Sequence, residues 1–248
     1  SLAKSKTMNK ILVTGGAGFI GSNIVSILVE QGYKVTVLDD LSSGHSCNLD
    51  SFQDVEFIQG DVRDEQAVEK SIKGAVGVIH LAASVGNKRS IDNPILDSEI
   101  NVIGTLRILE ACRKASVPKV VYSSSAGVFG ELKQLPIAED HPIDPNTPYG
   151  ASKLAGEKLC LAYAHLYNIE AICLRYFNVY GPNQRFDEYG NVIPIFTFKM
   201  LRGESPTVFG DGEQTRDFVN VRDVAEANLK AVKAVGVSGA FNIASGTS

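Results

Sequence analysis

A short β-branched run near the start of the chain ends in a cluster of glycines, and a pattern of helical spacing follows at once. Residues 10–14 (KILVT) predict a buried strand, and residues 15–21 (GGAGFIG) lie where that strand gives way to a helix. Apolar residues recur at helical spacing as far as Leu28, and a second strand is predicted at residues 34–38. This β-α-β unit predicts a parallel sheet with helices packed on it.

The glycine cluster also predicts a ligand. Gly15, Gly18 and Gly21 have the spacing GxxGxxG, and without Cβ atoms their backbone amides can close on a pyrophosphate at the positive end of the helix. Asp39 follows the second strand, about 20 residues after the glycines, where a carboxylate accepts hydrogen bonds from ribose hydroxyls and repels a 2'-phosphate. The context therefore predicts NAD rather than NADP, with a glycine-rich turn that binds nothing as the alternative.

The same alternation of strand and helix continues along the chain. Further strands are predicted at residues 55–59, 75–81, 119–122 and 171–175, with a helix at residues 94–115. The predicted fold is α/β, with a doubly wound parallel sheet of Rossmann type and ligands at the carboxyl ends of its strands.

The character of the chain changes after residue 176. Residues 185–191 form a polar segment, and a helix at 195–202, a strand at 215–221 and a helix at 223–234 follow. We predict a Rossmann domain over residues 8–176 and a small C-terminal substrate lobe over residues 177–248, with some segments returning to the first domain.

Several polar residues are predicted at strand ends or inside helices. Asp61 follows a strand and could reach an adenine, although a helix cap at Asp64 fits the same stretch. Asn101 is a poor helix former in mid-helix, so it is expected to bond a group across the sheet, with a solvated or locally bonded side chain as the alternative. His80 lies in an apolar run and is predicted to be a satisfied core residue.

Composition excludes several classes of function. The 248 residues carry a formal net charge of -4, which argues against a polyanion-binding surface and a nucleic-acid partner. No apolar run reaches the length of a membrane span, so we expect a cytoplasmic protein with a flexible leader at residues 1–7. The four cysteines lack metal-ligand spacing, so they are predicted to be free thiols and no metal is expected.

The stretch TPYGASK at residues 147–153 is the candidate catalytic segment. A helix that begins at Pro148 would place Tyr149 and Lys153 on one face, because residues four apart are neighbours on a helix. The ammonium, together with a cationic cofactor ring where one is bound, is expected to lower the pKa of the phenol, so that Tyr149 can take a proton from an alcohol. An ordinary amphipathic helix is the alternative. Residues 123–125 are serines at a strand end, and the loop that follows is long enough to bring them beside Tyr149.

The combined motifs resemble the extended short-chain dehydrogenase/reductase family, and most of all its UDP-hexose 4-epimerases. The resemblance runs from Met8 onward and includes TGGAGFIG (14–21), SSS (123–125), RYFNVYGP (175–182) and GDGEQTRD (210–217). It implies that the NAD site includes, besides the three glycines, the residues Phe19, Ile20, Asp39, Asp40, Leu41, Ser42, Ser43, Gly44, Asp61, Val62, Leu81, Ala82, Ala83, Asn101, Tyr149, Lys153 and Phe177.

The resemblance also implies a catalytic set and a mechanism. Tyr149 would remove the proton of the sugar 4-hydroxyl as C4 passes a hydride to the nicotinamide, with Ser125 on the same oxygen and Lys153 anchoring the ribose. The 4-keto sugar would rotate and take the hydride back on its other face. The UDP-sugar would be held by residues beyond the sixth strand: Asn178 and Arg216 at the diphosphate, and Asn191, Val192, Ile193 and Phe209 at the uracil.

Alternatives remain at this point. Arg216 could instead be a surface residue paired with Asp217. The substrate could be the N-acetylated sugar pair, because the sequences at residues 89–94 and 191–194 resemble those of epimerases that act on N-acetylated sugars. A dehydratase or decarboxylase is disfavoured, because Ser-Ala-Gly at residues 125–127 lacks the extra acid expected there. A non-catalytic NAD-binding sensor is the alternative from a different class.

Two further expectations follow from the resemblance. Family members continue for several tens of residues beyond the position of Ser248, so the substrate lobe is expected to be incomplete. Helices around residues 101–112 and 149–166 are expected to form a four-helix bundle between two subunits of a homodimer.

Overall fold

A single parallel sheet organises the protein. The computed structural model describes residues 9–185 and 191–247; the predicted leader at 1–7 and most of the polar segment 185–191 lie outside the described residues. The sheet has seven strands in the order β3-β2-β1-β4-β5-β6-β9, and β7 pairs with β8 separately. The strands are β1 (Lys10–Thr14), β2 (Lys34–Asp39), β3 (Glu56–Gln59), β4 (Ala75–His80), β5 (Lys119–Ser125), β6 (Glu170–Tyr176), β7 (Asn178–Tyr180), β8 (Phe218–Asn220) and β9 (Gly239–Ile243).

Helices cover both faces of the sheet. They are α1 (Phe19–Glu30), α2 (Glu65–Ile72), α3 (Asn87–Asp92), α4 (Pro94–Ser98), α5 (Thr105–Lys114), α6 (Pro148–Leu166), α7 (Val192–Leu201) and α8 (Val221–Lys233). Helices α1 and α8 pack together on one face, and on the other face α5 packs against both α2 and α6. The predicted doubly wound sheet is confirmed.

Two apolar layers explain why the strands have little polar alternation. In β1, Ile11 and Val13 belong to the core beneath α1 and α8, whereas Leu12 belongs to the core beneath α5 and α6. All three side chains are buried. A central parallel strand is covered on both faces, so each of its positions favours an apolar residue.

The strand order places a crevice at the carboxyl ends of β1 and β4. From β1 the chain first proceeds through β2 to β3 on one side, and then crosses to β4, β5 and β6 on the other. The loops after β1 and β4 therefore leave the sheet in opposite directions. In sheets of this kind ligands bind at that point.

Several predicted element bounds were wrong. Strand β5 continues through Ser125, because the three serines pair with residues 174–176 of β6. The predicted helix at 94–115 contains a π-helical segment, Glu99–Gly104, between α4 and α5. Helix α7 begins at Val192, and β8 covers only Phe218–Asn220, which leaves Arg216 before the strand.

Strand β9 was not predicted. It pairs with β6 through residues 239–243 and extends the main sheet, while α8 packs against α1. Its sequence, GAFNI, begins with glycine and has a single β-branched residue, so the pairing with β6 rather than local propensity supplies the strand. The division into domains at residue 177 stays a prediction.

A buried ion pair holds α6 to the sheet. Glu157 and Arg175 form two parallel hydrogen bonds, of 2.7 and 3.0 Å, and their side chains are 0% and 4% exposed. The same carboxylate accepts a 2.7 Å bond from Ser124 Oγ. Because Glu157 lies on α6, Arg175 on β6 and Ser124 on β5, the pair fixes the helix over both strands.

Glu157→Gln should destabilise the protein, because it leaves the guanidinium of Arg175 buried without its counter-charge. We expect the free energy of unfolding to fall by about 3–5 kcal/mol, measured by urea denaturation. Glu131→Gln is the matched control, because the Glu131–Lys133 pair is exposed and should leave the transition nearly unchanged. Equal midpoints for both variants would contradict the assigned role of the buried pair.

Candidate active site

The glycine-rich loop packs directly against the loop after β4. Gly15 has φ +70°, and a Cβ at that position would lie 2.8 Å from the backbone nitrogen of Ala82. A Cβ on Gly21 would collide with the carbonyl oxygen of Gly15. Glycine is therefore required at both positions, at Gly15 for its backbone conformation as well as for space.

Asp39 ties the glycine-rich loop to the end of β2. Its carboxylate accepts hydrogen bonds from the Ala17 amide at 3.0 Å and the Leu41 amide at 2.8 Å. Burial raises the pKa of Asp39, and the two amide bonds act in the opposite direction. Leu41 has φ +61°, a strained conformation for a branched side chain. Asp39 thus shapes the glycine-rich loop from the end of β2.

The residues after Asp39 close around the same loop. The Asp40 carboxylate accepts from the Ser42 amide at 2.9 Å, and a Cβ on Gly44 would lie 2.8 Å from the carbonyl carbon of Ala17. Helix α1 follows Gly18 with no capping side chain and no acidic residue in its first turn. Phe19 and Ile20 open that helix, where backbone amides and the helix dipole favour an anionic ligand.

A buried threonine and histidine organise the loop after β4. Thr14 Oγ1 accepts from the amides of Leu81 and Ala82 and lies 2.6 Å from His80 Nδ1, so it donates to that nitrogen. His80 Nε2 then carries the proton and donates to Thr105 Oγ1 at 3.0 Å. Burial lowers the pKa of His80 to about 3, so the ring is neutral. The prediction of a satisfied core histidine is confirmed.

Asn101 bonds across the site, which is the first of the alternatives predicted from its position in the sequence. It is buried, accepts from the Ser84 amide at 2.8 Å and donates to the Ser84 carbonyl at 2.9 Å. It also donates to Ser152 Oγ at 3.0 Å. Its place in a π-helical segment is consistent with a functional site. Asn101 therefore joins the loop next to Ala83 to helix α6.

The two carboxylates predicted after β3, Asp61 and Asp64, both make local contacts. Asp64 caps α2, accepting from the amides of residues 66 and 67. Asp61 forms a 2.6 Å ion pair with Arg63, whose hydrogen bonds hold the pKa of that carboxyl below its usual value. Val62 is buried, and a Cβ on Gly104 would lie 2.8 Å from its Cγ2. A contact between Asp61 and an adenine stays a prediction.

Ser125 and Tyr149 lie next to each other. Helix α6 begins at Pro148, behind the Thr147 cap, whose hydroxyl accepts from the Gly150 amide at 3.1 Å. A Cβ on Gly127 would lie 3.3 Å from Ser125 Oγ and 3.8 Å from Tyr149 Cδ1. Gly127 thus allows the serine hydroxyl and the tyrosine ring to share one side of the turn after β5.

Lys153 lies one turn further along α6 and is buried. Its Nζ donates to the carbonyl of Ser123 at 2.8 Å and lies 5.3 Å from the centre of the Tyr122 ring. Burial lowers the pKa of Lys153 to about 8. The ammonium is held beside the carboxyl end of β5, two residues before Ser125.

The expected lowering of the Tyr149 pKa is not observed. Desolvation by the surrounding protein raises the pKa of Tyr149 to about 12, although an interaction with Ser125 lowers it. Lys153 donates to the Ser123 carbonyl instead of the phenol, and removal of water from the phenol is the largest influence on its pKa.

The residues predicted to hold the sugar nucleotide lie in the C-terminal segment. Asn178 donates from Nδ2 to the Asp217 carbonyl at 3.0 Å, and the Phe177 ring lies 6.5 Å from that of Phe129. Arg216 is exposed and donates to the Thr215 carbonyl at 2.7 Å. The Asp217 carboxylate accepts from residues 245 and 246, so the alternative pairing with Arg216 is not observed.

The contacts described above unite the glycine-rich loop, Asp39, the loop after β4, Ser125, Tyr149 and Lys153 at one edge of the sheet. They do not extend to the predicted uracil-binding residues, of which Val192 is 42% and Phe209 is 81% exposed; Asn191 is exposed and Ile193 half-buried. Asp97 and Ser152 were missed as site residues. Two features of the sequence could have identified them: Asp97 lies four residues before Asn101, and Ser152 lies directly before Lys153.

Within residues 9–185 and 191–247, no group of three or more His, Cys, Asp or Glu side chains could hold a metal ion. No helix in that part of the chain combines the length and apolar character needed to cross a membrane.

Comparison with known proteins gives consistent matches over most of the chain. The profile of the NAD dependent epimerase/dehydratase family matches residues 11–244. The UDP-glucose 4-epimerase of Mycolicibacterium smegmatis is 42% identical over 242 residues, 96% of this chain and 77% of that enzyme.

Two solved structures are similar in fold. The Thermotoga maritima UDP-glucose 4-epimerase with UDP-glucose has a TM-score of 0.91 at 41% identity, covering 96% of this chain and 77% of that one. The Methanobrevibacter ruminantium UDP-N-acetylglucosamine 4-epimerase with UDP-N-acetylmuramic acid has a TM-score of 0.91 at 38% identity, covering 96% and 76%.

Gly15→Ala should weaken NAD binding, because the new Cβ would push the loop away from Ala82. Gly32→Ala is the matched control, since Gly32 also has a positive φ of +79° but nothing lies within 4 Å of its Cβ position. Both variants should lose about 1–2 kcal/mol of stability from the backbone conformation. Isothermal titration calorimetry should detect weaker NAD binding only for Gly15→Ala, and equal affinities would contradict this account of the loop.

Proposed function

The chain belongs to the NAD dependent epimerase/dehydratase family, and from that membership we propose that it is an NAD-dependent UDP-glucose 4-epimerase. The reaction is the inversion of C4 of a UDP-hexose, which interconverts UDP-glucose and UDP-galactose through a transient 4-keto sugar. The observation that carries the proposal is the placement of Ser125, Tyr149 and Lys153 beside the crevice where β1 and β4 end. A cytoplasmic location stays a prediction from the sequence.

The residues around the crevice suit NAD. The uncapped start of α1 would hold the pyrophosphate, and Asp39 would hold the adenine ribose. Each Asp39 oxygen accepts one amide bond and retains a second lone pair for a ribose hydroxyl. When bound, NAD supplies a reversible acceptor of hydride.

Tyr149 is the proposed acid and base at the sugar 4-hydroxyl. A tyrosine with a pKa of about 12 holds its proton at neutral pH, so the ionised form must be favoured by charges that arrive with the bound ligands. Ser125 is placed to hydrogen-bond the same sugar oxygen, because its hydroxyl lies next to Tyr149 and its hydrogen bond opposes the rise in the pKa of that phenol. The pair can thus take a proton from the 4-hydroxyl and return it.

Lys153 is the proposed source of positive charge at the reacting centre. Its ammonium is fixed by the Ser123 carbonyl and desolvated, so its electrostatic effect is stronger than in water. From that position it can hydrogen-bond the nicotinamide ribose and favour the phenolate of Tyr149.

The C-terminal residues are proposed to hold the sugar nucleotide. Arg216 presents an exposed guanidinium, which matches the geometry of a diphosphate and stays charged. Asn178 keeps its side-chain oxygen for a ligand while its Nδ2 donates to the Asp217 carbonyl. Asn191, Val192, Ile193 and Phe209 remain the proposed contacts to the uracil.

The N-acetylated sugar pair is the second candidate substrate, because one of the similar structures is a UDP-N-acetylglucosamine 4-epimerase. Dehydration at this site is disfavoured, since Ala126 and Gly127 stand where an additional acid is expected. A sensor that binds NAD without turnover would have no use for the arrangement of Ser125, Tyr149 and Lys153.

Tyr149→Phe should lower the rate of epimerisation at least about 100-fold, because the variant keeps the ring but cannot transfer the proton. Tyr167→Phe, at the far end of α6, is the control and should be as active as the wild type. Both sugar pairs are assayed by chromatography with NAD present. Steady NADH release by the wild type would indicate a dehydrogenase, and full activity of Tyr149→Phe would exclude the proposed base.

We also propose a homodimer through α5 and α6. Apolar side chains are exposed on and next to these helices: Ile103 at 48% just before α5, Leu166 at 66% at the end of α6, and Ile95 at 76% on α4. The hydroxyl of Tyr163 on α6 donates to Glu110 on α5 at 2.5 Å, so the two helices form one surface. A second copy of the same helix pair would cover these side chains in a four-helix bundle.

Ile103→Glu should dissociate such a dimer, because it buries a charge in the apolar interface. Val235→Glu is the control, since Val235 is 87% exposed and lies beyond α8. Sedimentation velocity should show a smaller species only for Ile103→Glu. A monomeric wild type would refute the proposed dimer.

A further inference from the structure

Tyr122 is a buried tyrosine that the proposed chemistry does not use. It lies on β5, directly before the three serines, and is 1% exposed. Burial raises the pKa of its phenol, so Tyr122 carries a neutral ring and a hydroxyl that can donate. Its side chain extends from the sheet to α6 and contacts Lys153 in two ways.

The ammonium of Lys153 lies over the ring of Tyr122. Lys153 Nζ is 5.3 Å from the centre of the ring, a distance at which a cation is attracted to the negative face of an aromatic ring. The same nitrogen donates to the Ser123 carbonyl at 2.8 Å, which uses one of the three N–H donors of an ammonium. Lys153 is buried, and such a contact is stronger when the cation is desolvated. The ring therefore stabilises a positive charge from which water has been removed.

The hydroxyl of Tyr122 contacts the main chain of the same lysine. It donates to the Lys153 carbonyl at 3.3 Å. The phenol can come this close to α6 because position 156 is a glycine, and a Cβ there would collide with the phenol oxygen. Glycine is unfavourable inside a helix, so its presence within α6 indicates a packing requirement. Gly156 and the hydroxyl thus fix the ring beneath the ammonium.

We propose that Tyr122 is a positioning residue whose ring holds the protonated side chain of Lys153 at the end of β5. The inference rests on the proposed function for what Lys153 does in catalysis. The contact between the ring and the ammonium is made in the protein without substrate, so it can be tested independently of the reaction.

Other titratable groups around Lys153 lie on α4, β4 and α6. The carboxylate of Asp97 on α4 attracts the ammonium, and His80 on β4 is neutral. The phenol of Tyr149 and the thiol of Cys160 are carried by α6 itself. All of these groups are kept when only the residue at position 122 is changed, so a difference between such variants reports the ring.

Two rings of similar shape at position 122 separate the electrostatic effect from packing. Tyr122→Phe removes the hydroxyl and keeps an aromatic ring with a negative face. Pentafluorophenylalanine, introduced at the same position by amber suppression, keeps the shape of the ring, but its fluorines withdraw the negative charge from that face. Proteins labelled with 13C-lysine are titrated by NMR without substrate, and the Lys153 signal is identified by its loss in Lys153→Met. The pH profile of kcat/KM is measured for the same proteins.

For Tyr122→Phe we expect the titration midpoint of Lys153 to stay close to that of the wild type. In the pentafluorophenylalanine protein it should lie lower by about one pH unit, because the ring no longer favours the charged form of a desolvated lysine. The alkaline limb of the activity profile, where Lys153 loses its charge, should move in the same direction. If the fluorinated protein does not fold, Tyr122→Leu, which has no aromatic face, takes its place with the same expected shift.

Equal Lys153 midpoints in the phenylalanine and pentafluorophenylalanine proteins would overturn the inference. A lower midpoint with an unmoved activity profile would overturn it as well, because the contact would then have no part in positioning Lys153 for the reaction. A lower midpoint in the fluorinated protein, when the wild type epimerises neither sugar pair, would leave the contact standing and refute the proposed function instead.

Discussion

The whole site depends on the close approach of two backbones at the carboxyl ends of β1 and β4. Gly15 lies against Ala82 with no room for a side chain, and Thr14 ties the same two loops together by accepting from the amides of Leu81 and Ala82. This contact fixes the floor of the crevice. Asp39 then holds the glycine-rich loop from the side of β2.

Helix α6 carries three ionisable groups at intervals of four residues, and their environments differ. Tyr149 is at the crevice, Lys153 is buried beside the end of β5, and Glu157 is buried in an ion pair with Arg175. The last pair fixes the helix on the sheet, so the first two are held rigidly. A preorganised ammonium and phenol lose little free energy to reorganisation when a substrate binds.

Much of the fold was predictable because its signals are local. The strand before the glycines, the helix after them and the acidic residue at the end of β2 all lie within one β-α-β unit. Asn101 was identified because asparagine is unfavourable in mid-helix. Strand β9 was missed because its pairing with β6, and not its composition, makes it a strand. The predicted direction of the shift in the Tyr149 pKa was wrong, because spacing along a helix reveals nearby charges but not the loss of water around the phenol. Asp97 was missed because its partners on α6 are distant in sequence.

The most direct test of the account follows the hydrogen on C4. Wild-type protein with NAD is incubated with UDP-glucose that carries deuterium at C4, and the UDP-galactose formed is analysed by mass spectrometry and NMR. Removal and return of the hydride within one closed site predicts that the deuterium stays at C4. Product in which that deuterium has been replaced by hydrogen from water would contradict the account, because the inversion would then proceed by proton exchange.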